Sequence, residues 1–215
     1  MSRAGEVSQL HSYVSNKVNK RHKAAGNVVA NMSSASEVLH LHKAAGKVLP
    51  KIVILDLDYT IWDSMCARKT VPPYKLTGMH QVTDDNGSGW QIRIGEHTRD
   101  ILTALRQHGC RLGIASLNGD FQKPTQLLKA FGIWHYFEEE LELVQILRGR
   151  NKSQHLKNIK LAAGESVAWN EMLLFDDAPD NVQLARLYDS TAVLVTQRCL
   201  TMQVLRDALQ AHSSR

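Results

Sequence analysis

Short apolar runs recur along this chain from residue 51 onward, with helical patterns between them. Lys51-Ile-Val-Ile-Leu55, Arg111-Leu-Gly-Ile-Ala115, Glu140-Leu-Glu-Leu-Val144, Met172-Leu-Leu-Phe175 and Thr191-Ala-Val-Leu-Val195 read as strands. Most are continuous rather than alternating, which is the pattern of strands buried on both faces. Thr98–His108 places Ile101, Leu102 and Leu105 at helical spacing and ends at Gly109, and helices are also expected over Pro124–Phe131, Ser153–Ala163, Asn181–Tyr188 and Thr201–Ala211. Strands alternating with helices predict an α/β fold with a parallel sheet, helices on both faces and right-handed crossovers.

Two stretches break the rhythm. Residues 62–95 hold Pro72-Pro73, Gly78 and Asp84-Asp-Asn-Gly-Ser-Gly89, so turns dominate. Asn86-Gly87 before the alternating Trp90-Gln-Ile-Arg-Ile94 suggests a small hairpin. Placed directly after the first strand, this insertion is expected to overhang the sheet as a lid or specificity loop, with Trp62 and Tyr74 at the entrance. Residues 1–49 form the second exception and read as a flexible basic arm before a domain at 50–215. Within the arm His22-Lys-Ala-Ala-Gly26 returns as His42-Lys-Ala-Ala-Gly46, a local duplication with too few copies for a solenoid.

Charge sharpens the division. Seven of the 26 basic residues but only two of the 21 acidic ones precede residue 51, so the remaining 19 and 19 cancel and the formal charge of +5 belongs to the arm. Nucleic acid is therefore not expected on the body, although the arm suits weak contact with a polyanion. Cys66, Cys110 and Cys199 are scattered and odd in number, as in a reduced protein, and no apolar run reaches the ~18 residues of a membrane span. A cytoplasmic location follows, with a mitochondrial presequence as the alternative. Oligomeric state is not legible.

The polar residues at the strand ends carry the chemistry. Asp56 and Asp58 follow the first strand, Ser116 the second and Asp176-Asp177 the third strong one, while Lys152 opens a helix. Side chains two apart on an extended segment share a direction, so Asp56 and Asp58 both face the crevice at the carboxyl edge, where open α/β sheets bind ligands. Crowded carboxylates call for a cation, and an oxygen-only shell of Asp56, Asp58 and Asp177 or Asp176 favours Mg²⁺. Asp56 suits a nucleophile toward phosphorus and Asp58 a general acid and base. Ser116 suits a hydrogen-bond donor to phosphoryl oxygens and Lys152 a fixed positive charge.

Asp56-Leu-Asp-Tyr-Thr60 with Ser116, Lys152 and Asp176-Asp177 resembles the four-motif signature of the haloacid dehalogenase superfamily. More narrowly, Leu55-Asp-Leu-Asp-Tyr-Thr-Ile-Trp62, Val71-Pro-Pro-Tyr74 and Phe175-Asp-Asp177 resemble the magnesium-dependent phosphatase-1, or acid-phosphatase-like, family over about residues 50–210. The resemblance implies a Rossmann-like sheet and an aspartyl-phosphate on Asp56. It also implies Mg²⁺ on Asp56, the Asp58 carbonyl and Asp177, with Asp176 behind it or as alternate ligand. The family generally follows its serine with arginine, whereas Leu117 and Asn118 follow Ser116 here. The expected activity is hydrolysis of a phosphomonoester, on a phosphoprotein, a sugar or glycated phosphate, or a phosphorylated small molecule. The alternatives are a phosphotransferase, or a catalytically weak scaffold that binds through its arm.

Overall fold

The computed structural model describes residues 34–64, 70–85 and 88–214. Its centre is a five-stranded parallel sheet of β1 (Ile52–Leu55), β5 (Arg111–Ser116), β6 (Val144–Ile146), β7 (Met172–Asp176) and β8 (Thr191–Leu194), in the order β6-β5-β1-β7-β8. Strand β1 is thus central, with Val53 level with Leu112 on one side and Leu173 on the other. Its four residues are all fully buried, as an apolar run without alternation requires.

Side-chain alternation divides the core between the two faces of the sheet. Val53, Leu55, Leu112, Ile114, Leu173 and Phe175 pack against helices α2 (Thr98–Gln107), α3 (Gln122–Ala130) and α6 (Met202–Ser213). Ile52, Ile54, Ala115, Met172, Leu174 and Ala192 face α4 (Ser153–Ala163) and α5 (Pro179–Leu187) on the other side. This is the three-layer, Rossmann-like α/β arrangement that the alternating pattern predicts. Helix α6 begins where Thr201 accepts a hydrogen bond from the Val204 amide at 3.2 Å. Among the described residues no helix is long and apolar enough to cross a membrane.

Three features differ from the sequence reading. The stretch after β1 holds a three-stranded antiparallel sheet, β2 (Tyr74–Gly78), β3 (Gln81–Asp84) and β4 (Gln91–Arg93), rather than one hairpin. The β3–β4 turn at Asn86-Gly87 lies outside the described residues. Second, Glu138–Leu143 forms tight 3-10 turns, and the edge strand starts only at Val144. Here Arg106 and Arg111 bind Glu139 and Glu140, so these glutamates serve an ion network instead of a strand.

Third, helix α1 (Ser34–Ala44) occupies part of the span read as an arm. Ala35 and Leu39 are fully buried and Val38 packs beside them, one face of a helix at spacings of three and four. The helix packs on α2 and α6. Glu37 in its first turn and Lys43 in its last suit the helix dipole. The compact unit runs from Ser34 to Arg215. The first His-Lys-Ala-Ala-Gly copy, the first five basic residues of the arm and Cys66 lie outside the described residues.

Candidate active site

The site forms where β1, β5 and β7 run out at their carboxyl ends. Asp56 follows β1 directly, and its amide donates to the Phe175 carbonyl at 2.9 Å, so the ladder holds it one residue beyond the strand. The chain then turns sharply: the amides of Thr60, Ile61 and Trp62 all converge on the Leu57 carbonyl at 3.2, 2.9 and 3.2 Å. Tyr59 adopts φ 58° to make that turn, a left-handed conformation uncommon for a bulky residue. The turn brings Trp62 to Asp58, and the indole Nε1 donates to Asp58 Oδ1 at 2.7 Å. Trp62 is fully buried, so it supports Asp58 from below and does not line the entrance. Tyr74 is half-buried, with its hydroxyl 3.2 Å from Thr70.

Lys152 stands at the start of α4, where Asn151 caps the helix by accepting from the Ser153 amide at 3.0 Å. The Lys152 side chain runs inward and is 1% exposed. Its ammonium donates to Asp56 Oδ1 and Asp176 Oδ2, each at 2.5 Å. The other Asp176 oxygen accepts from the Ala178 amide at 2.9 Å and from Asn181 Nδ2 at 3.1 Å. Ser116 ends β5, with its Oγ accepting from the Asn118 amide at 3.4 Å, which leaves the hydroxyl proton to donate elsewhere.

Asp56, Asp58, Ser116, Lys152 and Asp177 line one cavity of about 200 Å³, with Tyr59, Leu117, Asn118, Ala178 and Asn181. Asp176 lies behind it, fully buried and engaged on both oxygens. None of the described residues of the 62–95 insertion lines the cavity; β2 packs instead against α3. Oxygen atoms of Asp56, Asp176 and Asp177 lie within 4.8 Å of one another. The Asp58 carboxylate is not in that group, being turned toward Trp62.

Three carboxylates around one ammonium leave two negative charges uncompensated. Burial pushes the Asp56 carboxyl up to about 7, with Asp176 adding to the effect and Lys152 only partly opposing it. Burial and Asp176 likewise raise Asp177. For Lys152 burial disfavours the charge, but Asp56 and Asp176 outweigh it and hold the ammonium more firmly than usual. A divalent cation would neutralise the cluster, and the oxygen-only donor set fits a hard ion such as Mg²⁺.

His155 escaped the sequence reading. One turn past Lys152 on the inward face of α4, its Nε2 sits 2.9 Å from both the Ser116 and Leu147 carbonyls. Two acceptors assign the proton to Nε2, and burial lowers the imidazole's basicity, so a neutral ring ties the end of β5 to the loop after β6. Its spacing of three from Lys152 and one from Leu156 was the available signal, though an inward histidine among apolar residues has no single meaning.

The family model for acid phosphatase matches residues 48–215. The chain belongs to the acid phosphatase family. Human magnesium-dependent phosphatase 1 is 25% identical to it over 162 residues, spanning 75% of this chain and 86% of the human protein. The resemblance first carried by Leu55–Trp62 and Phe175–Asp177 thus extends over the whole five-stranded sheet. Helix α1 lies before the matched span.

Proposed function

We propose that this acid phosphatase is a Mg²⁺-dependent phosphomonoester hydrolase acting through an aspartyl-phosphate on Asp56. The observation that carries the reading is the buried cluster of Asp56, Asp176 and Asp177 about Lys152, at the floor of a cavity also lined by Asp58 and Ser116. A carboxylate oxygen of Asp56 attacks phosphorus, and the phosphorus–oxygen bond to the leaving alcohol breaks. The departing oxygen takes its proton from the Asp58 carboxyl. Asp58, now ionised, removes a proton from water, whose oxygen attacks phosphorus and releases Asp56 and inorganic phosphate.

Trp62 holds Asp58 in place through both steps, and the Ser116 hydroxyl donates to a phosphoryl oxygen. The Lys152 ammonium keeps Asp56 oriented and offsets charge on the phosphoryl group. Mg²⁺, held by Asp56 and Asp177 with Asp176 anchoring Lys152 behind them, supplies Lewis-acid neutralisation of that group when bound. The relative's name, magnesium-dependent phosphatase 1, supports the choice of metal.

The test is phosphate release from phenyl phosphate with Mg²⁺ or with EDTA, together with an acid quench that maps the phosphoryl group to the peptide bearing Asp56. Asp56→Asn is expected to abolish turnover, by roughly a thousandfold or more, with the circular dichroism spectrum intact. A fully active Asp56→Asn protein would sink the mechanism. A phosphotransferase would instead move the group to added alcohols in preference to water.

A further inference from the structure

The chemistry proposed for the cavity uses its buried floor. The half-buried rim is made by Tyr59 on one loop and by Leu117 and Asn118 on another. Each side of that rim carries an arginine to which the phosphoryl chemistry gives no task.

On the first side the segment after β8 is fastened to the site at both ends. The Val195 amide donates to the Asp176 carbonyl at 2.8 Å, and the Leu200 amide donates to the Thr60 carbonyl at 2.9 Å. Between these anchors Arg198 takes φ 61°, and its guanidinium lies 5.8 Å from the centre of the Tyr59 ring, itself on a residue with φ 58°. Two bulky residues in left-handed backbone, Tyr59 lining the cavity and Arg198 with its guanidinium over the Tyr59 ring, are kept only where the surrounding chain over-determines them. On the second side the loop after β6 is tied to the site by the Leu147 amide, which donates to the Ser116 carbonyl at 3.0 Å. Arg148 crosses the backbone at Gly119, where an added Cβ would lie 2.9 Å from the arginine Nε. Glycine next to Asn118 is what lets that side chain pass.

Both arginines are exposed, and among the described residues neither is in an ion pair or hydrogen bond. The acid nearest in sequence on the second rim loop, Asp120, is turned to the start of α3, where it accepts from the Gln122 amide at 2.9 Å. By the proposed mechanism a phosphoryl group would already be met on the floor by Lys152, Ser116 and the metal that Asp56 and Asp177 would hold. Guanidinium groups are planar forks suited to carboxylate or phosphate, and two of them at the rim lack a counter-anion.

We infer that Arg148 and Arg198 form a second anion subsite, and that the substrate is a phosphomonoester whose alcohol portion carries a further carboxylate or phosphate. This deepens the proposed function and rests on it. Tyr59 is a positioning residue here: its ring, which lines the cavity, holds the Arg198 guanidinium beside the rim.

The test compares kcat/KM of the Mg²⁺-loaded full chain on phenyl phosphate and on 4-carboxyphenyl phosphate, which differ by one anionic group. The carboxylated ester is expected to be favoured by about tenfold, and the ratio to shrink as salt rises. Arg148→Ala and Arg198→Ala should each lower the ratio, and the double variant should bring it to about one. Being internal to each protein, the ratio does not depend on the fraction folded. Phosphoserine peptides with acidic or neutral flanks form a second arm: preference for the acidic peptide places the anion on a polypeptide, and preference confined to the small ester places it on a metabolite. Equal rates on the two aryl esters in the unaltered protein, or a ratio that survives in the double variant, would overturn the subsite while leaving the phosphatase reading intact. Failure to hydrolyse either ester would overturn both.

Discussion

Strand β5 has an ion network near each end, and the two are built on opposite principles. At its start Arg111 and Arg106 bind Glu140, and Arg106 also binds Glu139, with side-chain exposures between 20% and 72%. Two cations meet two anions in water's reach, so the network is balanced and replaceable. At its end, beside Ser116, Lys152 sits between Asp56 and Asp176 with side-chain exposures of 2%, 9% and 0%. With Asp177 alongside, carboxylates outnumber the cation, and Lys152 and Asp176 are out of water's reach. Burial of charge without balance costs stability, so this second network is explained by what it does on the arrival of a cation and a phosphoryl group.

The contrast is broken most directly at Lys152. Lys152→Met should cost about 3–5 kcal/mol in denaturant unfolding of the metal-free protein, because it leaves buried carboxylates without their cation. If the loss instead matches that of a surface pair, the two networks are alike and the distinction fails.

Magnesium and pH sharpen it next. The Asp56 carboxyl is raised from 3.8 to about 7 in the metal-free fold. Its contribution to stability is therefore complete below 3.8 and is lost as pH climbs through about 7. Mg²⁺ requires the ionised form, so the rise in Tm on adding it should be small at about pH 5 and large at about pH 8. At a hundredfold excess over Kd the stabilisation is about 2.7 kcal/mol. A Tm shift independent of pH across this interval would detach the metal from Asp56.

Trp62→Phe removes the indole donor but keeps most of the ring. It is expected to lower kcat about tenfold, the worth of ~1.5 kcal/mol for a hydrogen bond to a charged group, and to shift the pH–rate profile on the limb set by Asp58. A loss of stability with an unmoved profile would make Trp62 packing alone. The smallest effect belongs to the surface network: Glu139→Gln should change stability by less than about 1 kcal/mol, and less still in high salt.

These differences also explain what was legible in the chain. The sheet was, because Ile52–Leu55 and Met172–Phe175 are buried on both faces and permit no polar residue. Asp56, Ser116 and Asp176-Asp177 could be picked out as candidates because they stand where apolar runs stop, and Lys152 because it opens a helix. Strand β2 was not: four of its five residues are exposed, so nothing in Lys75–Gly78 marks a face. Helix α1 was hidden because only Ala35 and Leu39 are fully buried among serines and histidines. The supporting contacts of Trp62 and His155 were illegible for another reason: a hydrogen bond depends on where a turn or helix aims a side chain, and sequence spacing does not fix that aim.

Helix α1 also separates two meanings of the word domain. The family match begins at residue 48, whereas the compact unit that holds the sheet begins at Ser34. A fragment cut to the homologous part would strip Ala35 and Leu39 from α2 and α6 and leave a greasy scar where they lay. The family-matched span and the packed unit differ by one helix, and that helix makes the borders of kinship a poor guide to where this protein can safely be cut.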